Sequence, residues 1–322
     1  QDGNTFNRAF LGVRQPGSAI KPLIAYTPAF EKGYIPASAY NDTAFDNGPA
    51  NVDNQYRGSV SLRYAVEISI NTIPVRLVGE MGVKNSLKYL QNMEFKYTTP
   101  QDIYPVIAIG GFTKGVTSVE MASGYSTLAR NGQFISPTNI RKITNTVVNE
   151  VLFENKHKQT KVYDSGASYL MTDTLKGVLT KTHKDLALNN YPFTAGKTGT
   201  TDQSKDAWFV GYTPYYTTSV WVGDDTPTPQ NMYGANEPGQ IWKEYMQYLH
   251  QDLEQKDFIR PNTVVDRNGV LMDTLYIKLN ENGKVKAENK VIEKPSDDGA
   301  KQASDDAAKK ASDDAAKKAS DD

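Results

Sequence analysis

Five segments of the chain repeat apolar residues at the three- and four-residue spacing of a helix with one buried face. The segment 83–92 has the regular pattern, and another opens at Thr117 with its capping-box partner Glu120 and closes at Asn131–Gly132. A third helix is predicted over 59–67, where Ser59 opens it and Val60, Ala65 and Val66 lie on one side. A fourth, over 166–179, is expected to bury Leu170, Met171, Thr174, Leu175 and Val178. The fifth starts at Asn236 and Pro238 and is expected to bury Ile241, Trp242, Tyr245, Met246 and Leu249.

Three later segments have the aromatic and β-branched composition of strands: 192–200, 206–213 and 216–223. Turn-rich stretches separate them, and Pro214–Tyr215 is suited to a hairpin turn. The pattern therefore predicts an α+β fold in which helices flank an antiparallel sheet. We expect this core domain to span about residues 1–260.

The remainder of the chain has a different composition. Residues 261–295 carry weaker strand signals at Thr263–Val265 and Leu275–Leu279, which predicts a small C-terminal appendage. In 296–322 the triplet Ser-Asp-Asp recurs in a low-complexity AAKKASDD repeat without any apolar residue larger than alanine. We expect this tail to be disordered, because it cannot offset its ordering entropy by burial.

Composition excludes several classes of chemistry. The 322 residues carry a formal net charge of -1, so no overall field attracts nucleic acid. Cysteine is absent, and the histidines His157, His183 and His250 are not spaced as metal ligands, so we expect neither a metal nor another cofactor. A nucleophilic serine in this chain needs a base other than histidine. No apolar run is long enough to span a bilayer.

The first candidate motif is Ser18-Ala19-Ile20-Lys21. A serine and a lysine three residues apart project from one side of a helix, and Pro16–Gly17 predicts a sharp entry that places Ser18 near the helix N-terminus. There the orphan N–H groups favour developing negative charge. Lys21 can accept the serine proton only if burial or a neighbouring cation lowers its pKa. Read alone, the pattern is a helix cap beside a solvated lysine.

The second motif is Ser69-Ile70-Asn71, between two helical stretches. The Ser69 hydroxyl can relay a proton, and the Asn71 amide can bind a substrate amide through its donor and its acceptor. Alone, the pair is typical of a cap between helices.

The third motif is Lys197-Thr198-Gly199-Thr200 on a predicted strand. Gly199 leaves room for a substrate backbone along the strand, and Lys197 with the threonine hydroxyls can bind a carboxylate. The alternative is an edge strand that carries a solubilising lysine.

The order of the three motifs is the signature shared by penicillin-binding proteins and serine β-lactamases. More narrowly, the chain resembles the transpeptidase domain of class A, bifunctional penicillin-binding proteins over most of residues 4–250. The resemblance includes TFNRAF and RQPGSAIKP near the first motif, GSVSLRYAVEISINTIPVRLVGEMG around the second, GGFTKGVTSVEMASGYSTLARNGQ at 110–133, and AGKTGTTDQSKDAWFVGYTPYYTTSVWVG at 195–223. It implies the penicillin-binding protein and β-lactamase fold with an all-helical lobe.

The resemblance also implies a D,D-transpeptidase acting on peptidoglycan stem peptides and acylated by β-lactams. By this resemblance, Ser18 is the nucleophile, Lys21 the acylation base, Ser69 the proton shuttle, and Lys197 the cation that lowers the pKa of the Lys21 and Ser69 cluster. The implied substrate-binding residues are Asn71, Thr198, Gly199 and Thr200. The N–H groups of Ser18 and Thr200 are the implied oxyanion hole. Other cell-wall synthesis proteins are the implied partners. The implied location is the outer face of a bacterial cytoplasmic membrane.

In the resembling family, sheet strands precede the Ser-x-x-Lys helix. We therefore expect the first strands, the glycosyltransferase half and a membrane anchor to lie upstream of this sequence.

Three other activities share the motifs. A D,D-carboxypeptidase differs only in using water as the acceptor. A class A β-lactamase needs a Glu-x-x-x-Asn loop, and no glutamate between the second and third motifs is followed by asparagine at that spacing: Glu80, Glu94, Glu120, Glu150 and Glu154. A β-lactam sensor domain is the remaining alternative, and it requires an adjacent membrane signalling segment.

Overall fold

The structure, a computed structural model, describes residues 6–276. Its helices are α1 (Arg8–Leu11), α2 (Thr27–Phe30), α3 (Leu62–Glu67), α4 (Thr72–Met81), α5 (Val83–Asn92), α6 (Ser118–Ala129), α7 (Ser165–Gly177) and α8 (Glu237–Leu249). Shorter turns of 3-10 or π helix cover Gly17–Ile20, Pro22–Tyr26, Pro105–Ile109, Val178–Thr182, Lys184–Leu186 and Asp202–Ser204. Within residues 6–276, no helix has the length and apolar content needed to cross a bilayer.

All the strands pair antiparallel. They are β1 (Ala39–Asp42), β2 (Gly58–Ser61), β3 (Gln133–Ile135), β4 (Lys142–Asn145), β5 (Glu150–Glu154), β6 (Gln159–Lys161), β7 (Ala195–Thr200), β8 (Asp206–Tyr212), β9 (Thr217–Gly223), β10 (Val264–Arg267) and β11 (Val270–Asp273). The largest sheet has the order β7–β8–β9, and the pairs β1–β2, β3–β6, β4–β5 and β10–β11 form two-stranded sheets.

The central strand β8 is buried on both faces. Trp208, Val210 and Tyr212 belong to the main core, on the side that α6 and α7 cover. Phe209, on the alternate face, packs with Trp242 of α8 in a second apolar cluster. The sheet is thus a middle layer between helices, as the sequence pattern predicted.

A helical lobe lies beside this sheet. Helices α4 and α5 pack on the buried turn Pro22–Tyr26, and the turn Pro105–Ile109 packs on α4. Ile73, Leu77 and Leu90 are among the residues that join the lobe to the main core. The α+β class with an all-helical lobe is therefore confirmed.

Local signals located several elements correctly. The segment 83–92 is helix α5, and Thr117 and Glu120 form both hydrogen bonds of the capping box at α6. The Thr213 N–H donates to Tyr216 O across the predicted hairpin turn. The predicted inner face of α7 is buried as expected, and so is Val178, the residue that follows this helix.

Two predicted helices differ from the structure. Ser59 does not open α3, because residues Gly58–Ser61 pair with Ala39–Asp42 as strand β2, and the hydroxyl of Ser61 accepts from Tyr64 N instead. Helix α8 buries Trp242 and Met246, but Ile241 and Tyr245 are 50% and 51% exposed.

The described residues after α8 include the β10–β11 hairpin. Val264 and Met272 enter the main core, and the hairpin packs on α7. Thr263–Val265 was therefore correctly predicted to contain strand residues, whereas Leu275 lies in a turn and the rest of that predicted strand is outside the described residues. The 296–322 repeat also lies outside them, and the domain boundaries stay predictions.

Candidate active site

Ser18 lies in the first helical turn after a tightly packed glycine. Gly17 has a φ of 53°, in the left-handed region, and a Cβ there would lie 2.8 Å from the carbonyl oxygen of Thr200. The backbone N–H of Lys21 donates to the Ser18 carbonyl, so both residues share one helical turn. The predicted sharp entry and the position of Ser18 near a helix N-terminus are both present.

Strand β7 runs directly against this turn. A Cβ on Gly199 would lie 2.4 Å from Pro16 O and 3.0 Å from Ala19 N. The prediction that Gly199 leaves room for a substrate backbone is therefore wrong in its reason, because the chain's own backbone fills that space. The glycine instead allows the turn that carries Ser18 and the Lys-Thr-Gly strand to touch.

Lys21 is fully buried and points toward the second motif. Its Nζ donates to Ser69 O at 2.7 Å, to Ile70 O at 2.9 Å and to Asn71 Oδ1 at 2.7 Å. It also lies 3.2 Å from Ser69 Oγ. Within residues 6–276, no hydrogen bond joins Lys21 to the Ser18 hydroxyl. The hydrogen bonds to the turn 69–71 therefore fix the position of the Lys21 Nζ atom.

The Ser69 hydroxyl lies between two lysines. Besides Lys21, it accepts a hydrogen bond from Lys197 Nζ at 2.9 Å. Ser69 has a φ of 63°, which is uncommon for a residue with a Cβ and costs about 1–3 kcal/mol. This backbone conformation allows both the carbonyl and the hydroxyl of Ser69 to face the lysines.

The third motif has a buried lysine and two partly exposed threonines. Lys197 is 1% exposed, which excludes a solubilising role. Its Nζ also contacts Thr198 O at 3.3 Å and Thr198 Oγ1 at 3.5 Å. Thr200 Oγ1 accepts from Gly234 N at 3.1 Å, which ties the strand to the segment before α8.

Burial shapes the electrostatics of this cluster. It lowers the pKa of Lys21 well below its ordinary value, and the nearby Lys197 ammonium lowers that pKa further. Burial also lowers the pKa of Lys197 to about 7. Among the described residues, neither lysine forms an ion pair with a carboxylate. The condition set for a lysine base is therefore met, and the cluster lacks a countercharge.

Sequence reasoning missed the residues behind Asn71. The Asn71 N–H donates to Asn51 Oδ1 at 2.8 Å, and Asn51 Nδ2 donates to both oxygens of the buried Asp42 at 2.9 and 3.0 Å. Asn71 Nδ2 donates to Ala50 O at 2.9 Å. Asp42 and Asn51 lie on strand β1 and a distant loop, so no local pattern links them to the motif.

Two histidines have surroundings that bear on the site. His250 is a core residue, with ring nitrogens 2.6 Å from Met246 O and 2.9 Å from Thr213 Oγ1. Burial lowers the pKa of His183, and the charge of Lys197 lowers it further. Neither histidine forms a hydrogen bond with Ser18 in the described part of the chain, and Lys21 is the titratable residue that shares a helical turn with this serine.

Comparison with known proteins agrees with these motifs. The family model "Penicillin binding protein transpeptidase domain" matches residues 1–247. Penicillin-binding protein 4 of Bacillus subtilis is 33% identical over 247 residues, covering 75% of this chain and 39% of that protein. Penicillin-binding protein 1A of Aquifex aeolicus is 35% identical over 276 residues, covering 82% and 37%.

Solved structures show the same fold. Penicillin-binding protein 1A from Haemophilus influenzae has a TM-score of 0.73 at 24% identity, covering 89% of this chain and 50% of that one. PonA1 from Mycobacterium tuberculosis, solved in complex with penicillin V, has a TM-score of 0.69 at 23% identity, covering 84% and 77%.

The chain spans well under half the length of these curated relatives, 39% of one and 37% of the other. The family match nevertheless covers all three motifs and the elements that bring them together. Together, the matched residues and the shared fold confirm the family predicted from the sequence: the chain belongs to the penicillin-binding protein transpeptidase family.

Proposed function

We propose that this chain is a serine D,D-transpeptidase domain that cross-links peptidoglycan stem peptides and is acylated by β-lactams at Ser18. The observation that carries the proposal is the position of the Ser69 hydroxyl between two buried lysines, Lys21 and Lys197. Lys21 lies one helical turn from Ser18. Family membership supports the reaction class. The lysine cluster supports the assignment of roles.

Acylation begins with attack of Ser18 Oγ on the carbonyl of the penultimate D-alanine. Lys21 accepts the serine proton as a neutral amine, which donates two of its three hydrogen bonds to the turn 69–71 and has a lone pair for the proton; its lowered pKa supports this role. As the peptide C–N bond breaks, the proton passes through Ser69 Oγ to the leaving amine of terminal D-alanine. The products are an ester at Ser18 and free D-alanine. In a β-lactam the leaving nitrogen stays tethered, so the ester persists.

Substrate binding uses the surface of β7. The N–H groups of Ser18 and Thr200 form the oxyanion hole, and the packing of Gly17 on Thr200 supports their proximity. In comparable sites each such donor contributes about 3 kcal/mol. Lys197 lacks a carboxylate partner among the described residues and therefore supplies charge to the substrate carboxylate, together with the hydroxyls of Thr198 and Thr200.

Deacylation by an amine of a neighbouring stem peptide gives the cross-link. Water in place of the amine gives the carboxypeptidase reaction, so the acceptor distinguishes these two activities. Asn71 Nδ2 uses one hydrogen on Ala50 O and keeps the other for the acyl-side amide of the donor. The substrate places the domain on the outer side of a bacterial cytoplasmic membrane, among other cell-wall synthesis proteins.

A fluorescent penicillin tests the first half of this reaction. We expect the parent and Ser59→Ala, which removes an exposed serine on β2, to be labelled equally, while Ser18→Ala is not labelled. Labelling of Ser18→Ala would refute the assignment. A stem-peptide donor tests the second half: an added D-amino acid should be incorporated into the product faster than water hydrolyses the acyl-enzyme.

A further inference from the structure

A buried polar pair lies behind the second motif. The side chain of Asp42 is fully buried and that of Asn51 is 95% buried, the latter being 5% exposed. Asp42 accepts two contacts from Asn51 Nδ2, one from Thr72 Oγ1 at 2.6 Å and one from Arg57 N at 3.0 Å. A buried carboxylate with this many donors is well satisfied, and it is placed by strand β1.

The carboxylate fixes which way the Asn51 amide faces. An ionised carboxylate only accepts hydrogen bonds, so the amide nitrogen of Asn51 must face Asp42. The amide oxygen then faces the N–H of Asn71, from which it accepts at 2.8 Å. Asn51 Nδ2 also donates to Gln55 O at 2.8 Å, which reinforces this orientation. A reversed amide would set two donors against each other.

The hydrogen bond from Asn71 N–H to Asn51 Oδ1 fixes the position of the turn that binds Lys21. Among the described residues, Lys21 Nζ donates its short hydrogen bonds to the turn 69–71, where two backbone carbonyls and Asn71 Oδ1 accept them. Asp42 also binds Thr72, the first residue of α4, so it holds the far end of the same turn. The path from Asp42 to Lys21 therefore consists of short hydrogen bonds between buried or half-buried groups.

We propose that Asn51, oriented by Asp42, is a positioning residue for acylation: it holds the 69–71 turn so that Lys21 and the Ser69 hydroxyl keep their working geometry. The inference rests on the proposed function and adds two residues outside the three motifs. Among the described residues, neither Asp42 nor Asn51 forms a hydrogen bond with Thr198 or Thr200, so the pair acts through Asn71. Misplacing a proton-transfer group by a fraction of an ångström lowers the rate without removing the nucleophile.

The test measures penicillin acylation of the whole chain in two ways: the second-order rate constant and the final stoichiometry of label. For Asn51→Ala and for Asp42→Asn, we expect the rate constant to fall about tenfold, which corresponds to loss of one buried hydrogen bond. The stoichiometry should remain that of the parent. A purely structural role would instead lower the stoichiometry and leave the rate constant of the labelled molecules unchanged.

One further variant sharpens the result. Asp53→Asn is the matched control, because Asp53 lies in the same loop and pairs with Arg57. Among the described residues, the Asp53 side chain forms no hydrogen bond with Asn51 or Asn71, so this variant should acylate at the parent rate.

The outcomes separate the two proposals. If the parent labels at Ser18 but Asn51→Ala acylates at the parent rate, the positioning role is refuted and the transpeptidase assignment stands. If the parent is not labelled at all, both fail.

Discussion

Replacing Lys197 with methionine is expected to stabilise the fold while abolishing acylation. Burial lowers the pKa of Lys197 from 10.5 to about 7. At about 1.4 kcal/mol for each unit of pKa, burial of this ammonium disfavours folding by up to about 5 kcal/mol at neutral pH. Methionine removes that cost but loses the hydrogen bonds to Ser69 and Thr198, worth about 1 kcal/mol each. We therefore expect a net gain of about 1–3 kcal/mol.

The gain must depend on pH with a definite sign. The unfolded chain holds the Lys197 proton up to its ordinary pKa of 10.5, whereas the folded chain releases it near pH 7. Between these values the unfolded state binds more protons, so the stability of the parent rises with pH. The stabilisation by Lys197→Met is therefore largest below about pH 7 and shrinks by up to about 1.4 kcal/mol for each pH unit above it.

Urea unfolding followed by tryptophan fluorescence measures this at about pH 6 and about pH 9. The buried Trp208 and Trp242 report loss of the core. Lys142→Met, at an exposed lysine on β4, serves as control and should change stability little at either pH. A Lys197→Met variant that is less stable than the parent at the lower pH, or equally stabilised at both pH values, would contradict the burial cost assigned to Lys197.

Three further expectations concern rate and packing. Acylation of Ser18 should fall above about pH 7 as Lys197 loses its charge; Lys197→Arg should move this fall to higher pH in rapid-mixing assays, and an unmoved fall would exclude Lys197 as its source. Gly199→Ala should slow acylation at least about tenfold and lower the melting temperature, because its Cβ overlaps the nucleophile turn; parent-like rates would contradict this packing. Thr117→Ala should cost about 1–2 kcal/mol in urea unfolding and leave acylation unchanged; a slowed acylation would show that the α6 cap supports the site.

The elements that sequence reasoning located are those whose signals are local. Helix α5 carries its apolar spacing within ten residues, and the α6 cap needs only Thr117 and Glu120, three positions apart. The hairpin turn after β8 is likewise set by its own residues. In each case the hydrogen bonds that define the element are formed inside the segment that was read.

The wrong predictions concern partners that are distant in sequence. Ser59 and Ser61 are equally good cap residues, and the choice between them depends on the pairing of β2 with β1. The apolar stripe of α8 is wider than the surface it covers, so the sheet buries Trp242 and leaves Ile241 exposed. Neither strand pairing nor the width of a sheet face is encoded in a local spacing.

The site itself was predicted from the order of three motifs, and the structure brings Ser18, Lys21, Ser69 and Lys197 into one cluster. Their roles stay proposals. The sequence did not reveal Asn51, because the bond that links it to the site within residues 6–276 is accepted from a backbone N–H. Residues that support a site through a backbone group have no characteristic sequence spacing from the motif, so a motif search does not find them.

The assignment of Ser18 as the nucleophile is tested by the mass of the protein after incubation with benzylpenicillin. We expect the chain to gain the mass of one intact penicillin, and digestion should locate the adduct on the peptide containing Ser18. An adduct on any other residue, or no adduct on the folded chain, would show that Ser18 is not the nucleophile.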